Sequence, residues 1–187
     1  MSSLITKGNA SGTGSVTLES PNTNSDFTIT VPAQTGTMIT TASSGQIIPK
    51  AALPTGSVLQ VVQGTTATAS STNSSSYSDT GLTASITPTS STSKILVMAY
   101  CGMCTKSAVD TQLNLQIVRA STSVYLASAV NSNSSTADTS NPTLVYLDSP
   151  TTTSSTQYSV QFANRTAGTV FFNTNGTATI TLLEIAA

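Results

Sequence analysis

Cys101 and Cys104 stand in the run Cys-Gly-Met-Cys, the spacing that thiol–disulfide exchange uses when both sulfurs meet at the start of a helix. Here the pair closes an apolar run that begins at Lys94, and no helical period follows it. Three residues apart on a strand, two side chains face opposite sides of the sheet, so the thiols meet only if Gly102 makes a bulge. The residues therefore read as two small buried or half-buried side chains. A structural zinc site would want four ligands, and two are at hand.

Histidine is absent. That removes the usual general base, the Ser–His nucleophile pair and the commonest zinc ligand together. Carboxylates remain, and glycoside cleavage needs two of them, so the seven acids matter. Asp79, Asp110, Asp138 and Asp148 lie in or beside turn-forming clusters, where Asp caps and bonds locally. Glu19 and Asp26 fall in a thin N-terminal part with no cleft of its own. Glu184 alternates with Leu183 and Ile185, so it is expected to point outward or toward a partner chain. Structural roles are expected for all of them. No catalytic, cofactor-binding or metal-binding residue is expected, and the chain does not read as an enzyme.

Tyrosines can stack on sugars or anchor interfaces. Tyr77, Tyr100, Tyr125, Tyr146 and Tyr158 mostly sit within or beside apolar runs, so core packing is the expected use. If a carbohydrate site exists, loops around Asn133, Asn164 and Asn175 could supply hydrogen bonds. Asn-x-Ser/Thr triplets at Asn9, Asn73, Asn133, Asn164 and Asn175 arise at about the chance rate where Ser and Thr are so frequent. The Gly8–Gly14 stretch lacks the lysine and the strand–helix context of a phosphate loop.

The elements that must position these residues are strands. Charged residues make up 7% of the chain and hydrophobic ones 37%, with a formal net charge of -1. Disorder needs low hydrophobicity with high net charge, so it is not expected. Thr and Val suit a pleated surface and Ser and Asn suit turns. Six scattered Lys and Arg offer no footprint for nucleic acid. No run approaches the roughly 18 apolar residues of a membrane helix. The start, Met-Ser-Ser-Leu-Ile-Thr-Lys, lacks the apolar centre of a secretory signal.

Three regions follow. Residues 1–41 carry short period-two sets, Val16 and Leu18, then Phe27, Ile29 and Val31, then Met38 and Ile39. Strands this short are marginal alone. Three copies wound about one axis would close their edges and bury these seven side chains, which are the expected trimer interface. Residues 42–57 hold Pro49 and Pro54 and read as a linker. Residues 58–187 hold about nine strands at sandwich-like intervals, with Lys94–Tyr100 expected to be buried on both faces. Ser/Thr-rich stretches near 65–76 and 151–156 read as loops or exposed strand faces, and Asn133–Asn141 as the longest surface loop. The expected fold is all-β, an intertwined N-terminal segment followed by a β-sandwich or jelly-roll knob.

Three stretches carry a family likeness. They are Gly14-Ser-Val-Thr-Leu-Glu-Ser-Pro to Thr40, Tyr77-Ser-Asp-Thr-Gly-Leu-Thr-Ala-Ser-Ile-Thr-Pro with Ser-Lys-Ile-Leu-Val, and Tyr146-Leu-Asp-Ser-Pro150 with Ile180-Thr-Leu-Leu-Glu-Ile185. Together they resemble tail-fibre and other virion surface-fibre proteins of tailed bacteriophages of marine and cyanobacterial hosts. The resemblance implies a homotrimeric virion protein, made in the host cytoplasm, with an N-terminal part that attaches to other virion proteins and a C-terminal knob. A fibre that contributes to host attachment, through a surface polysaccharide or protein, is the first expectation. A capsid decoration or head fibre is the second, and a polysaccharide depolymerase a remote third. Neither nucleic-acid binding nor membrane insertion is expected.

Overall fold

Among the described residues the chain forms twelve strands, all pairings antiparallel, in three four-stranded sheets. The computed structural model describes residues 11–13, 24, 53–128, 130–131, 134 and 138–187. The chain divides into two units, Met1–Met38 and Ile39–Ala187, and the twelve strands of the described residues belong to the second. The expected interface residues Val16, Leu18, Phe27, Ile29, Val31, Met38 and Ile39 lie outside the described residues, as does most of the expected linker.

The first sheet joins β1 (Val58–Thr66), β12 (Ala178–Ile185), β4 (Lys94–Tyr100) and β9 (Thr143–Asp148), in that order. The second joins β3 (Ser78–Ile86), β10 (Thr156–Asn164), β6 (Leu113–Arg119) and β7 (Thr122–Ala127). Both sheets send alternate side chains into one core. Ile95, Val97, Ile180 and Leu182 come from the first, and Leu82, Ile86, Leu115, Ile117, Tyr158 and Phe162 from the second. This is the two-layer arrangement of a sandwich. Among the described residues no helix is long and apolar enough to cross a membrane.

The two layers touch at both borders. On one side β1 approaches β3 so closely that a Cβ on Gly64 would sit 1.9 Å from the Thr83 carbonyl oxygen. Only glycine fits there. On the other side the rings of Tyr125 on β7 and Tyr146 on β9 meet at 5.6 Å between centroids.

A third sheet of very short strands was not expected. It joins β2 (Ser70–Thr72), β11 (Val170–Phe172), β5 (Cys104–Lys106) and β8 (Thr139–Ser140). It extends the core through Val170, Phe172 and Cys104, with Phe172 packed on Phe162 at 6.1 Å. Of these four strands only β11 has an apolar run. The other three lie in segments read as Ser/Thr-rich loop, cysteine motif and surface loop.

Two expectations need correcting. Strand β4 is buried on one face only: Ile95, Val97 and Ala99 are inaccessible, whereas Met98 and Tyr100 are 37% and 40% exposed. Its continuous apolar run therefore serves two faces with different surroundings. Glu184 does not point outward. It shares the inner side of β12 with Ile180 and Leu182 and is 0% exposed, while Leu183 and Ile185 take the outer side. In Ile-Thr-Leu-Leu-Glu-Ile both alternations contain apolar residues, so the run does not fix its own facing; β4, paired residue for residue, does.

Candidate functional site

Strand β10 presents Gln157, Ser159 and Gln161 outward, because Tyr158, Val160 and Phe162 occupy the inner positions. Register places Gln161 beside Asp79 of β3 on one side and Gln116 of β6 on the other. The three side chains form a relay. Gln116 Nε2 donates to Gln161 Oε1 at 2.7 Å, and Gln161 Nε2 donates to Asp79 Oδ1 at 2.8 Å. Fixed this way, the amides keep their unused donors and acceptors in set directions.

The ladder between β3 and β10 slips beside this relay, between Ser159 and Gln161, where Gly81 takes φ of 80°. Thr80 turns inward and donates to the Val160 carbonyl at 2.6 Å. The slip opens a cleft of about 300 Å³ whose lining includes Asp79, Thr83, Gln157, Ser159 and Gln161. Carboxylate, amide and hydroxyl groups converge there on a sheet, which holds them more rigidly than a loop would. Across the sheet the rows continue as Asp79–Gln161–Gln116–Leu126 and Thr83–Ser159–Val118–Ser123. Apart from Val118 and Leu126 these two rows are polar, and Asp79 is their one charge.

Two other polar constellations are structural. Asp148, 5% exposed, accepts from Arg119 Nη1 at 2.8 and 3.0 Å and from the Tyr158 hydroxyl at 2.7 Å. This clasp ties β9 of one sheet to β6 and β10 of the other. Burial, and then the neighbouring carboxylate, push the Tyr158 hydroxyl well above the ordinary phenol range. Asp148 ends a strand rather than sitting loose in a turn, yet its role is the expected structural one.

Glu184 forms the second. Its Oε1 accepts from the Thr89 backbone N–H at 2.6 Å and the Thr89 hydroxyl at 2.7 Å, and Oε2 accepts from Gln60 Nε2 at 2.6 Å. Burial alone would raise this carboxyl's pKa, but the hydrogen bonds from Thr89 and Gln60 outweigh it and hold the value below the ordinary 4.5. A cleft of about 380 Å³ lies alongside, lined by Thr55, Thr89 and Ser93 among others.

Cys101 and Cys104 are both buried free thiols. The chain leaves the first sheet after Tyr100, turns at Gly102 with φ of 67°, and enters the third sheet at Cys104. Cys101 and Cys104 therefore do not share one continuous strand, and the alternation of strand faces does not relate their side chains. Burial raises both thiols, Cys104 to about 11, which makes them poor nucleophiles.

The tyrosines divide. Tyr158 is fully buried and Tyr125 and Tyr146 pack against the core, as expected, but Tyr100 stands on the outer face of the first sheet. Of the asparagines named for a sugar site, Asn164 is 1% exposed and spends its amide on the Gly168 carbonyl at 2.6 Å. Asn175 is exposed, and Asn133 lies outside the described residues. Sequence reasoning missed the glutamines of β6 and β10. Their signal was Gln157, Ser159 and Gln161 interleaved with Tyr158, Val160 and Phe162. Among the described residues no group of three or more Cys, Asp or Glu could hold a metal ion. No family model matches the chain, and no curated protein matches it.

Proposed function

We propose that this protein is a structural protein of a tailed-bacteriophage virion, a homotrimeric surface fibre whose knob takes part in host attachment. The observation that carries the reading is the outer face of the second sheet. It presents neutral amide and hydroxyl groups around a cleft of about 300 Å³, with one carboxylate, on a rigid sheet. Sugar hydroxyls need a donor and an acceptor together, and a Gln amide supplies both. A neutral or weakly polar host-surface glycan is therefore the chemistry this face fits.

The strand order adds support. Numbering only the eight longer strands, the two sheets run 1-8-3-6 and 2-7-4-5. That is the order of a jelly roll, an architecture frequent in viral and lectin domains. Fold analogy of this kind raises the expectation without assigning a role.

The test is to locate the chain in electron-microscopy maps of whole particles and to measure adsorption with residues 58–187 deleted. Density on the tail and loss of adsorption by otherwise intact particles is the expected result. Density in icosahedral copy number on the head would replace attachment by capsid decoration. Absence from the particle would overturn the virion reading itself.

A further inference from the structure

Tyr77 belongs neither to the core nor to the first sheet. It immediately precedes β3 and shares the outward parity of Asp79. Continuing the β3–β10 register by one step sets it beside Ala163, and Ala163 pairs with Asn114 of β6. The Tyr77 hydroxyl reaches the Asn114 side chain, two strands or about 9.6 Å away, so the ring crosses β10 over Ala163. Burial agrees with that path. Ala163 alternates with the inward Phe162 and holds an outward position, yet it is 1% exposed. A phenol ring laid on its methyl group covers it. Half-buried, the ring keeps its other face toward solvent. An aromatic surface thus lies one outward position, about 6.8 Å, from the Gln116–Gln161–Asp79 relay. The cleft of about 300 Å³ follows on the relay's other side.

We propose that ring, relay and cleft form one elongated subsite for a neutral oligosaccharide lying along β10, with Tyr77 as its stacking platform, an inference that rests on the glycan reading above. A pyranose has an apolar C–H face and a rim of hydroxyls, so it needs a flat π surface beside paired donors and acceptors. Tyr77 supplies the first, and Gln157, Ser159 and Gln161 supply the second. The relay spends one Gln161 N–H on Asp79 and one Oε1 lone pair on Gln116. The second N–H and the second lone pair remain for a ligand. Hydrogen bonds at an open cleft compete with water and contribute little net, whereas stacking buries apolar surface, so the ring carries a large share of the affinity. The positions of Ala163, Gln161 and Ser159 span about 14 Å, which suits a short oligosaccharide rather than one sugar. Charge decides against an anionic one. No Lys or Arg stands in these rows, and Asp79 would repel a carboxylate. Arg165 follows Ala163 at the end of β10 away from the cleft.

The experiment titrates the full chain with neutral hexasaccharides of glucose, mannose and galactose, and with hexagalacturonate as the charged counterpart, at millimolar concentration. Ligand-detected NMR reads binding. Tyrosine ring resonances read the place, that of Tyr77 being the one missing from Tyr77→Phe. The wild type should bind at least one neutral sugar more tightly than the uronate, and binding should shift the Tyr77 resonance. Tyr77→Ala should weaken binding roughly five- to tenfold, and Tyr77→Phe, which keeps the ring, less than about threefold. Tyr100→Ala, on the outer face of the first sheet, should leave it unchanged. Binding that survives Tyr77→Ala within about twofold overturns the platform alone and leaves the glycan reading standing. So does binding that leaves the Tyr77 resonance unmoved, and this decides the matter if Tyr77→Ala fails to fold. Binding of none of the neutral sugars, or a preference for the uronate, overturns the neutral-glycan reading and this inference with it.

Discussion

Removing the Glu184 carboxylate tests whether a buried acid, rather than apolar packing, fastens the end of β12. In Glu184→Ala three donors lose their acceptor: the Thr89 N–H, the Thr89 hydroxyl and the Gln60 amide. A buried donor left unsatisfied costs about 1–3 kcal/mol. The adjoining cleft of about 380 Å³ lets water reach some of them, so the low end applies, about 3 kcal/mol for the three. For a chain of this size that is a fall in Tm of roughly 6–12 °C. The pH dependence is a sharper test. A carboxyl whose folded pKa is depressed contributes stability that is fully present above its unfolded value near 4.5, and that is lost as pH falls through the lowered folded value. Urea unfolding at pH 7, 5, 4 and 3, at fixed protein concentration, reads both quantities. Glu184→Gln does not titrate, so its stability should fall less steeply below pH 4.5 than the wild type's. Parallel acid slopes for the two proteins would refute the depressed pKa. A loss below about 0.5 kcal/mol in Glu184→Ala at pH 7 would refute the clasp, since that is the scale of ordinary surface substitutions.

Three further outcomes are expected. Tyr158→Phe removes one of the donors to Asp148 and should cost about 1–2 kcal/mol, whereas Asp148→Ala strands Arg119 and the tyrosine hydroxyl and should cost about 3 kcal/mol; denaturant melts rank the two, and equal losses would mean that the clasp does not act through Asp148. Gly64→Ala drives a methyl group into the Thr83 carbonyl and should destabilise by several kcal/mol, lowering Tm more than Gly56→Ala, where the added methyl meets open space and only the positive φ of 90° opposes it. Cys101 and Cys104 should react with an aromatic disulfide at pH 8 only at the rate of opening of the core, because both are buried and Cys104 is raised to about 11; stoichiometric labelling of native protein within seconds would contradict their burial.

Much of the fold was legible because strand alternation is written locally. Leu113, Leu115 and Ile117, or Tyr158, Val160 and Phe162, announce both a strand and its inner face, and both face the core. Legibility failed where the local pattern was ambiguous or absent. Strands β2, β5 and β8 are two or three residues long and hold because β11 and one another supply the missing hydrogen bonds. A segment that short has no periodicity to read.

The amino-acid sequence by itself determined the class: strand formers, turn residues and almost no charge give antiparallel sheets, and the absence of histidine removes the commonest proton-transfer chemistry. Tertiary structure alone decided which side of each doubly apolar strand faces in. That choice buried Glu184 beneath Thr89 and Gln60 and left Met98, Val145 and Leu147 outside. The physical reason is that facing is settled by register with neighbouring strands. In Lys94–Tyr100 and Ile180–Ile185 either parity would bury apolar surface, so only the pairing of β12 with β1 and β4 selects one.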